Sequence, residues 1–356
     1  MFVRNCWYVA AWDYQVTDDG IFAISILNEP IAIYRRQSGQ VAAIADRCAH
    51  RFAPLSLGRK EGDSIRCMYH GLKFNHRGEC VEIPGGESVS TRIKVRDYPV
   101  LEAHSWIWVW MGDAALADPA LIPDVKGIHH SDWSMKPGQM DYDVNYLWIA
   151  DNLLDFSHLA YVHATSFGVS EEWASYPATV RSIERGVHVQ RFLKDQPVPQ
   201  PPLPSLEKVD KTDIWNAYDF VLPGILIMEE ATYPAGTAAR FASEKPDASV
   251  EPYAANYTCQ ALTPMTENTT RYFFAWGPRA IEDVGGLADV FANVAVKAFT
   301  EDHVLIHAQQ RNIKLNPGER PFWIKADKAL GQFRKLVEQL AGKELGKGIS
   351  QTESRG

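Results

Sequence analysis

The sequence predicts an α+β protein in two parts: an all-β domain over residues 1–115, then a domain of antiparallel strands and helices over residues 116–356. The first third contains short strand patterns separated by turn residues, without a long helical period. A stretch rich in Ala, Asp and Pro at 112–125 marks the boundary, and helical periods begin only beyond it.

Short strands fill the first part. IFAISIL, PIAIYRR and VAAIAD, which begin at residues 21, 30 and 41, are separated by Asn-Glu and Ser-Gly-Gln and predict an antiparallel meander. GLKFNHRGECVEIPG predicts a hairpin that turns at residues 75–78, and the alternating aromatics of SWIWVWMG predict the last strand.

The second part mixes helices and strands. Helical patterns occur around 145–163, 287–312 and 327–342, and RYFFAW at 271–276 predicts a strand between them. FVLPGILIM at 220–228 is interpreted as a buried strand. QPVPQPPLP at 196–204 predicts a surface loop, either an irregular connection or a lid, because so much Pro prevents regular pairing.

Composition and charge exclude several classes of protein. The chain has 36 basic and 44 acidic residues, a formal net charge of −8, which argues against a nucleic-acid or anionic-membrane binder. It has no run of about 18 apolar residues, the length that a spanning helix needs. The N-terminus lacks the layout of a secretion signal, and the scattered cysteines suit a reducing compartment, so we expect a cytoplasmic protein.

Residues 48–70 combine cysteine and histidine at both ends. The pattern is Cys48-x-His50, then sixteen residues, then Cys67-x-x-His70. Thiolate and imidazole together indicate a transition metal. Chance packing and a structural zinc are the simpler interpretations, but zinc modules usually place both cysteines in one arm.

The third interpretation is a Rieske [2Fe–2S] cluster. In such a cluster two cysteines hold one iron and two histidines hold the other, so each arm supplies one ligand to each metal. This spacing resembles the Rieske domains of bacterial ring-hydroxylating oxygenases. Because such a cluster only relays electrons, the second part should contain a site that consumes them.

Residues 151–163, DNLLDFSHLAYVH, suggest that site. Asp151, Asp155 and His158 fall at i, i+4 and i+7, on one face of a helix, whereas His163 requires the helix to end or bulge before both imidazoles can reach one ion. A hydrogen-bonded network is one interpretation. A non-heme iron site, which needs two histidines and a carboxylate, is the other.

The helical pattern at 287–312 offers the carboxylate, because Asp302 falls within its apolar stripe. Glu301 lies one position off that stripe and is expected to be solvated. His303 and His307 form an i, i+4 pair that could bind metal by itself. The other members of the stripe are apolar: Phe291, Val294, Ala298 and Leu305.

These motifs together resemble the Rieske non-heme iron oxygenases. D-x3-D-x2-H-x4-H is similar to their mononuclear iron motif, and TEDHVLI to the segment that bears their carboxylate ligand. FVRNCWYVAAW, CMYHGLKF and DNLLDFSHLAYVH are most similar to the group of vanillate O-demethylase, dicamba O-demethylase and toluenesulfonate methyl-monooxygenase. The resemblance implies a helix-grip (START-like) catalytic domain, a head-to-tail homotrimer and a separate flavin and iron–sulfur reductase that brings electrons from NADH.

The resemblance also implies two sets of metal ligands. The [2Fe–2S] Rieske cluster would have four: Cys48 and Cys67 on one iron, His50 and His70 on the other. The mononuclear Fe(II) would have three: His158, His163 and Asp302. Two further residues would act at the iron, since Asp155 would link His158 to the cluster ligand His70 of a neighbouring subunit, and Asn152 would lie near the iron. Substrate contacts would fall near three residues: Ile227, Gln260 and Asn293.

The implied reaction inserts one atom of O2 into a C–H bond of a methyl or methoxy group of a small aromatic acid. O-demethylation is favoured over methyl hydroxylation. The acid would need a donor, such as Gln260, Asn293, Arg191 or Arg240. Ring hydroxylation or cis-dihydroxylation is the alternative chemistry. A Rieske electron carrier without catalysis is the other alternative, and it leaves the second motif unexplained.

Overall fold

The computed structural model describes residues 1–353, apart from 87, 168, 170, 199–205, 207 and 243. The proposed lid therefore lies mostly outside the described residues. The chain forms two compact units, one of Met1–Gly127 with Thr263–Thr269, and one of Ile128–Leu262 with Thr270–Gly356. The domain division at residues 115 and 116 stays a prediction.

Three antiparallel sheets build the first unit, with strand orders β1-β11-β10, β2-β3-β4-β9 and β5-β6-β7-β8. Its strands are β1 (Cys6–Trp12), β2 (Ile21–Ile26), β3 (Glu29–Arg35), β4 (Val41–Ala45), β5 (Arg59–Glu61), β6 (Ser64–Arg66), β7 (Lys73–Asn75), β8 (Cys80–Glu82), β9 (Asp97–Tyr98), β10 (Val100–Ala103) and β11 (Trp106–Met111). The described part of this unit contains 3-10 helices but no α-helix, which confirms the all-β prediction. The predicted meander is β2-β3-β4, and the predicted hairpin is β7-β8.

One antiparallel sheet dominates the second unit, with strand order β12-β18-β17-β16-β15-β14-β13. Its strands are β12 (Lys136–Tyr142), β13 (Thr179–Ile183), β14 (Gly186–Gln196), β15 (Thr212–Val221), β16 (Ile225–Pro234), β17 (Ala254–Thr266) and β18 (Thr269–Pro278). Its α-helices are α1 (Tyr146–Leu154), α2 (Leu159–Val162), α3 (Thr237–Arg240), α4 (Leu287–Leu315) and α5 (Lys328–Glu353). None of the described helices is long and apolar enough to cross a membrane.

The two faces of this sheet pack against different elements. On one face, α3 packs against an apolar cluster that includes Phe192, Trp215 and Tyr233. On the other face the hydroxyl of Tyr218 donates to the main-chain oxygen of Leu154 in α1, at 3.1 Å. Rings of β18 pack against α4 on that face as well. We call it the helix-covered face.

Two predictions of local structure are wrong. FVLPGILIM is a hairpin rather than one strand: β15 ends at Val221, a cis peptide joins Leu222 to Pro223, and β16 starts at Ile225. Pro has no N–H to donate to a strand partner, so the pairing stops there. On α4, Leu305 is exposed rather than in the buried stripe, which instead passes through Asp302 and Ile306.

Candidate metal centres

The two cysteine loops of the first unit share one main-chain arrangement. The N–H of Cys48 donates to the oxygen of Ala53, and the N–H of Cys67 donates to the oxygen of Leu72, both at 2.8 Å. In each loop, a main-chain hydrogen bond thus joins the cysteine to the residue five positions after it. Both thiols are buried, in the same apolar cluster.

Each loop turns back through a residue with positive φ. Phe52 has φ 60° and Gly71 has φ 77°, and their N–H groups donate to Cys48 and Cys67 respectively, at 2.9 Å. Gly71 is required on two grounds. Its φ disfavours a side chain, and a Cβ there would lie 2.6 Å from Cγ of Pro84.

The two imidazoles point outward and lie side by side. The rings of His50 and His70 are exposed, with centroids 4.6 Å apart. Burial raises the pKa of the Cys48 thiol. Although the His70 ring is exposed, local desolvation by its neighbours, followed by the charges of His50 and Arg51, lowers its pKa. Buried thiols beside exposed imidazoles fit a cluster with one cysteine-held and one histidine-held iron.

The helical motif of the second unit is not one helix: α1 ends at Leu154, so the prediction that Asp151, Asp155 and His158 share one helix face is wrong. Asn145 caps the start of α1, and Asp155 ends that helix with φ −129°. The Asp155 carboxylate then caps a 3-10 helix over Phe156–His158, accepting from the N–H of Ser157 at 2.9 Å. The change of helix type turns His158 and His163 toward each other, with ring centroids 5.2 Å apart.

His158, His163 and Asp302 form a compact group. One ligand atom from each lies within 4.8 Å of the others, and no other such His, Cys, Asp or Glu group occurs in the described part of the chain. Nε2 of His163 is 3.2 Å from Oδ2 of Asp302, and Nε2 of His158 is 3.6 Å from Oδ1. Two imidazole nitrogens and one carboxylate are the donor set of non-heme iron oxygenases. These residues therefore fit a mononuclear iron.

Contacts at Nδ1 hold the rings of His158 and His163 so that Nε2 of each faces Asp302. Nδ1 of His163 donates to Oε2 of Glu301 at 2.8 Å, and the Ser166 hydroxyl donates to the same oxygen at 2.6 Å. Nδ1 of His158 lies at hydrogen-bond distance from the main-chain oxygen of Asp155. Glu301 is thus not the solvated acid that the sequence predicted, because the segment after His163 folds over it.

The same contacts set the charges at the group. Burial lowers the pKa of His158, which favours the neutral imidazole that binds metal. Burial also opposes the charged form of His163, but the hydrogen bonds and charges of Asp302 and Glu301 raise its pKa overall. Hydrogen bonds from Ser166 and His163 outweigh burial and lower the pKa of Glu301.

Asn152 adjoins this group. Its amide Nδ2 donates to Oδ1 of Asp302 at 2.9 Å and lies 3.4 Å from Nε2 of His158. Asp155 contacts His158 through its main-chain oxygen, while its carboxylate binds Ser157. Asp151 stands apart, because its carboxylate pairs with Arg334 of α5 at 2.8 Å.

The alternative histidine pair makes a different set of contacts. His303 and His307 stack with centroids 4.2 Å apart, and His303 packs on Tyr142 at 4.7 Å. Nε2 of His307 accepts from the N–H of Asp143 at 3.0 Å. The pair thus serves packing and hydrogen bonding between α4 and the segment after β12.

Polar side chains cross the sheet at one register. Arg191 of β14 pairs with Asn216 of β15, Asn216 with Glu230 of β16, and Glu230 with Asn256 of β17. We call these four residues the polar row. Because side chains two apart on a strand share a face, Asn216 lies on the helix-covered face with Tyr218.

The polar row is only partly satisfied. The amides of Asn216 and Asn256 donate to the two oxygens of Glu230, at 3.0 Å and 3.1 Å. Burial raises the pKa of Glu230, and these two donors oppose the shift. Arg191 is 7% exposed and Asn216 is 2% exposed, yet Nε of Arg191 and Oδ1 of Asn216 have no hydrogen-bond partner among the residues that the structure describes. Burial lowers the pKa of Arg191.

Aromatic rings connect the polar row to the iron ligands. The ring of His163 packs edge-on against Phe167, at 5.0 Å between centroids, and Phe167 packs against Trp276 at 5.8 Å. The indole N–H of Trp276 donates to Oδ1 of Asn256 at 2.8 Å. Phe291 of α4 lies on Trp276, at 4.4 Å.

The predicted substrate contacts are not brought together. Gln260 lies on the helix-covered face, where its Oε1 accepts from the hydroxyl of Tyr272 at 2.6 Å. Ile227 pairs with Asp219, the residue after Tyr218, and therefore points to the opposite face of the sheet. Asn293 is exposed on α4. Sequence reasoning missed Glu230, although the adjacent acids at 229 and 230 within an apolar strand must place one of them on the helix-covered face.

Comparisons with known proteins match both units. Residues 6–99 match the Rieske [2Fe-2S] domain, and residues 142–343 match the vanillate O-demethylase oxygenase C-terminal domain. The toluene-4-sulfonate monooxygenase system iron-sulfur subunit TsaM1 of Comamonas testosteroni is 38% identical, over 97% of this chain and 99% of its own. A vanillate O-demethylase oxygenase subunit of Pseudomonas sp. is 30% identical, over 97% and 96%.

Solved structures of dicamba monooxygenase have the same fold. The structure bound to 3,6-dichlorosalicylic acid superposes with a TM-score of 0.86 at 29% identity, covering 97% of this chain and 99% of the other. The structure with non-heme iron and dicamba gives 0.77 at 28% identity, with the same coverage.

Proposed function

The chain belongs to the Rieske non-heme iron oxygenases, in the family of the vanillate O-demethylase oxygenase subunits, and we propose that it oxidises a methyl or methoxy group of a small aromatic acid. The observation that carries the proposal is the compact group of His158, His163 and Asp302 in a chain that also has a Rieske domain. A protein that only carries electrons through a Rieske cluster does not need the group of His158, His163 and Asp302.

We assign the metals to the residues that fit them. Cys48, Cys67, His50 and His70 would hold the [2Fe–2S] cluster. His158, His163 and Asp302 would hold the mononuclear Fe(II), which, supplied with electrons through the cluster, activates O2 for insertion of one oxygen atom into a C–H bond.

The protein's own residues position the ligands and the substrate. Glu301 and the main-chain oxygen of Asp155 hold the two imidazoles, and Asn152 holds one oxygen of Asp302. Phe167, Trp276 and Phe291 offer flat apolar surfaces beside His163, which suit an aromatic ring.

Arg191 supports an acid group on the substrate. Of the four donors that the sequence suggested, Asn293 is exposed, Arg240 is exposed and bonded to Ser249, and Gln260 already bonds Tyr272. Arg191 is a buried cation whose guanidinium lies over the ring of Trp173 at 5.9 Å, and no carboxylate of the described residues supplies a counter-charge in contact with it. An anionic substituent would supply that charge. Toluene-4-sulfonate and vanillate, which name two relatives, are both rings with an acid group.

Electrons come from a separate reductase, as the description of the relatives as oxygenase subunits and components implies. We further propose a homotrimer in which Asp155 links His158 to His70 of a neighbouring subunit. The accessibility of both residues supports this, because His70 is exposed and Asp155 is only partly buried. A contact between copies requires side chains that can be reached.

Metal analysis combined with a product assay tests the function. The purified chain should contain about three irons and two acid-labile sulfides, since the cluster has two irons and the second site one. With NADH, a reductase, O2 and a panel of vanillate, methoxybenzoates and toluenesulfonate, formaldehyde or a benzylic alcohol should form in proportion to NADH. Two irons per chain, or a cis-diol as sole product, would contradict the proposal.

A further inference from the structure

The polar row contains hydrogen-bonding capacity that the protein itself does not use. Oδ1 of Asn216 is a buried acceptor that receives no hydrogen bond from the described part of the chain. Each oxygen of Glu230 receives one amide N–H, and a carboxylate oxygen has room for a second donor. Two acceptors on adjacent strands therefore face the same side of the sheet, at one register.

Such an arrangement is costly in an empty protein. A buried polar atom without a partner loses its hydration and gains nothing in return. Asn216 cannot relieve the cost by turning its amide over, because Nδ2 would then leave Glu230. A ligand hydroxyl would donate to one of these acceptors, and a ligand amino group, with two N–H bonds, would donate to both.

The polar row also lies where a substrate ring would reach it. Asn256, which donates to Glu230, accepts from the indole of Trp276, and Trp276 packs through Phe167 toward His163. A ring beside these aromatic side chains would have its reactive substituent toward the iron ligands and another edge toward Glu230.

We propose that Glu230 and Asn216 determine substrate specificity, by selecting an aromatic acid whose ring also carries a hydrogen-bond donor, a phenolic hydroxyl or an amino group. This inference rests on the proposed function and adds a second substituent to the substrate. Arg191, in the same row, would meet the acid, and Glu230 with Asn216 would meet the donor.

Binding measurements on the anaerobic resting enzyme test the proposal without turnover. The probes are 4-hydroxy-3-methoxybenzoate and 3-methoxybenzoate, which differ only in the ring hydroxyl, and Kd is measured by calorimetry. The wild-type protein should bind the hydroxylated ring at least about tenfold more tightly, because a hydrogen bond to a charged group is being made. Glu230→Met, which keeps the volume and removes the acceptor, should reduce that ratio to about one by weakening only the hydroxylated ligand.

The adjacent acid provides the matched control. Glu229 points to the opposite face of β16 and pairs with Lys245 at 2.8 Å, so Glu229→Gln should leave the ratio unchanged. A further ligand needs no variant: 3,4-dimethoxybenzoate has an acceptor but no donor at ring position 4, and it should bind the wild-type protein no more tightly than 3-methoxybenzoate.

The outcomes separate this inference from the proposed function. Equal wild-type affinity for the first two probes, or a ratio that survives Glu230→Met, overturns the role of Glu230, while turnover of either probe would still support the oxygenase. If Glu230→Met does not fold, tight binding of 3,4-dimethoxybenzoate overturns the inference by itself. If no probe binds and none is converted by protein with its full iron content, both the acid substrate class and the role of Glu230 are wrong.

Discussion

Nδ1 of His163 donates to Oε2 of Glu301 at 2.8 Å, and this contact turns Nε2 of the same ring toward Asp302. A carboxylate can only accept, so it selects the tautomer with the proton on Nδ1 and the lone pair on Nε2. Glu301 and Asp302 are neighbours in sequence. One helix turn would thus supply both the proposed ligand Asp302 and the group that orients the proposed ligand His163.

Glu301→Gln is expected to weaken iron binding or turnover by about 10- to 100-fold, as loss of an outer hydrogen-bond partner of a metal ligand usually does. The amide keeps the shape but accepts less strongly and can present an N–H to Nδ1. Iron content after dialysis and kcat are the measurements. Glu319→Gln, at an exposed position beyond α4, is the matched control. Unchanged iron affinity and kcat in Glu301→Gln would contradict this role.

His158→Ala should remove about one of three irons per chain and abolish product formation, because two ligands cannot hold the metal tightly. The visible spectrum of the cluster should be unaffected, since its ligands are in the other unit. His303→Ala is the control, because His303 packs on Tyr142 and His307. If His303→Ala loses the iron and His158→Ala retains it, the ligand assignment is wrong.

Asp155→Asn should keep both metals but lower steady-state turnover by about 10- to 100-fold, because the proposed link between the metal sites needs a carboxylate. The decisive measurement is single-turnover kinetics, in which reoxidation of the cluster should slow. Product formation with chemically reduced iron should be retained. Asp219→Asn, on β15, is the control. Normal cluster reoxidation in Asp155→Asn would exclude the link.

His188 should make stability depend on pH in the neutral range. Its Nδ1 donates to Asp219 at 2.6 Å and its Nε2 to Gln190 at 3.1 Å, so both ring nitrogens act as donors. The hydrogen bond to Asp219 raises the pKa of His188. Because the folded-state pKa is the higher one, the stabilisation is complete below about pH 6.5, the ordinary His value, and is lost as pH rises through the raised pKa.

The variant His188→Gln makes this measurable. Its melting temperature should be lower than that of the wild-type protein at pH 6, and the difference should shrink by pH 9. A difference in melting temperature that is constant from pH 6 to pH 9 would show that His188 stabilises the protein through packing and not through its charge.

Both metal-binding motifs could be predicted from the sequence because their residues are close in the chain. Cys48 and Cys67 lie in loops whose conformation is local, and the break between His158 and His163 follows from helix geometry alone. Asp302, remote in sequence, was found because an acid within an apolar stripe requires a partner.

Other features depend on tertiary packing and could not be predicted in this way. Glu301 is rotated from Asp302 by about 100° around the helix, and only the fold shows that Thr165 and Ser166 pack over that side. The polar row requires the register between four strands. Asn293 and Leu305 are exposed because of the way α4 is rotated about its own axis when it packs on the sheet.

The buried guanidinium of Arg191 also has a consequence for the life of the protein in the cell. Its Nε has no hydrogen-bond partner among the described residues, and a buried polar group without a partner lowers the free energy of unfolding. A bound acid adds RT ln(1 + [L]/Kd) to the free energy of unfolding. Chains made while the substrate is scarce would therefore be degraded faster than those made while it is abundant, and enzyme abundance would follow substrate supply without any change in transcription.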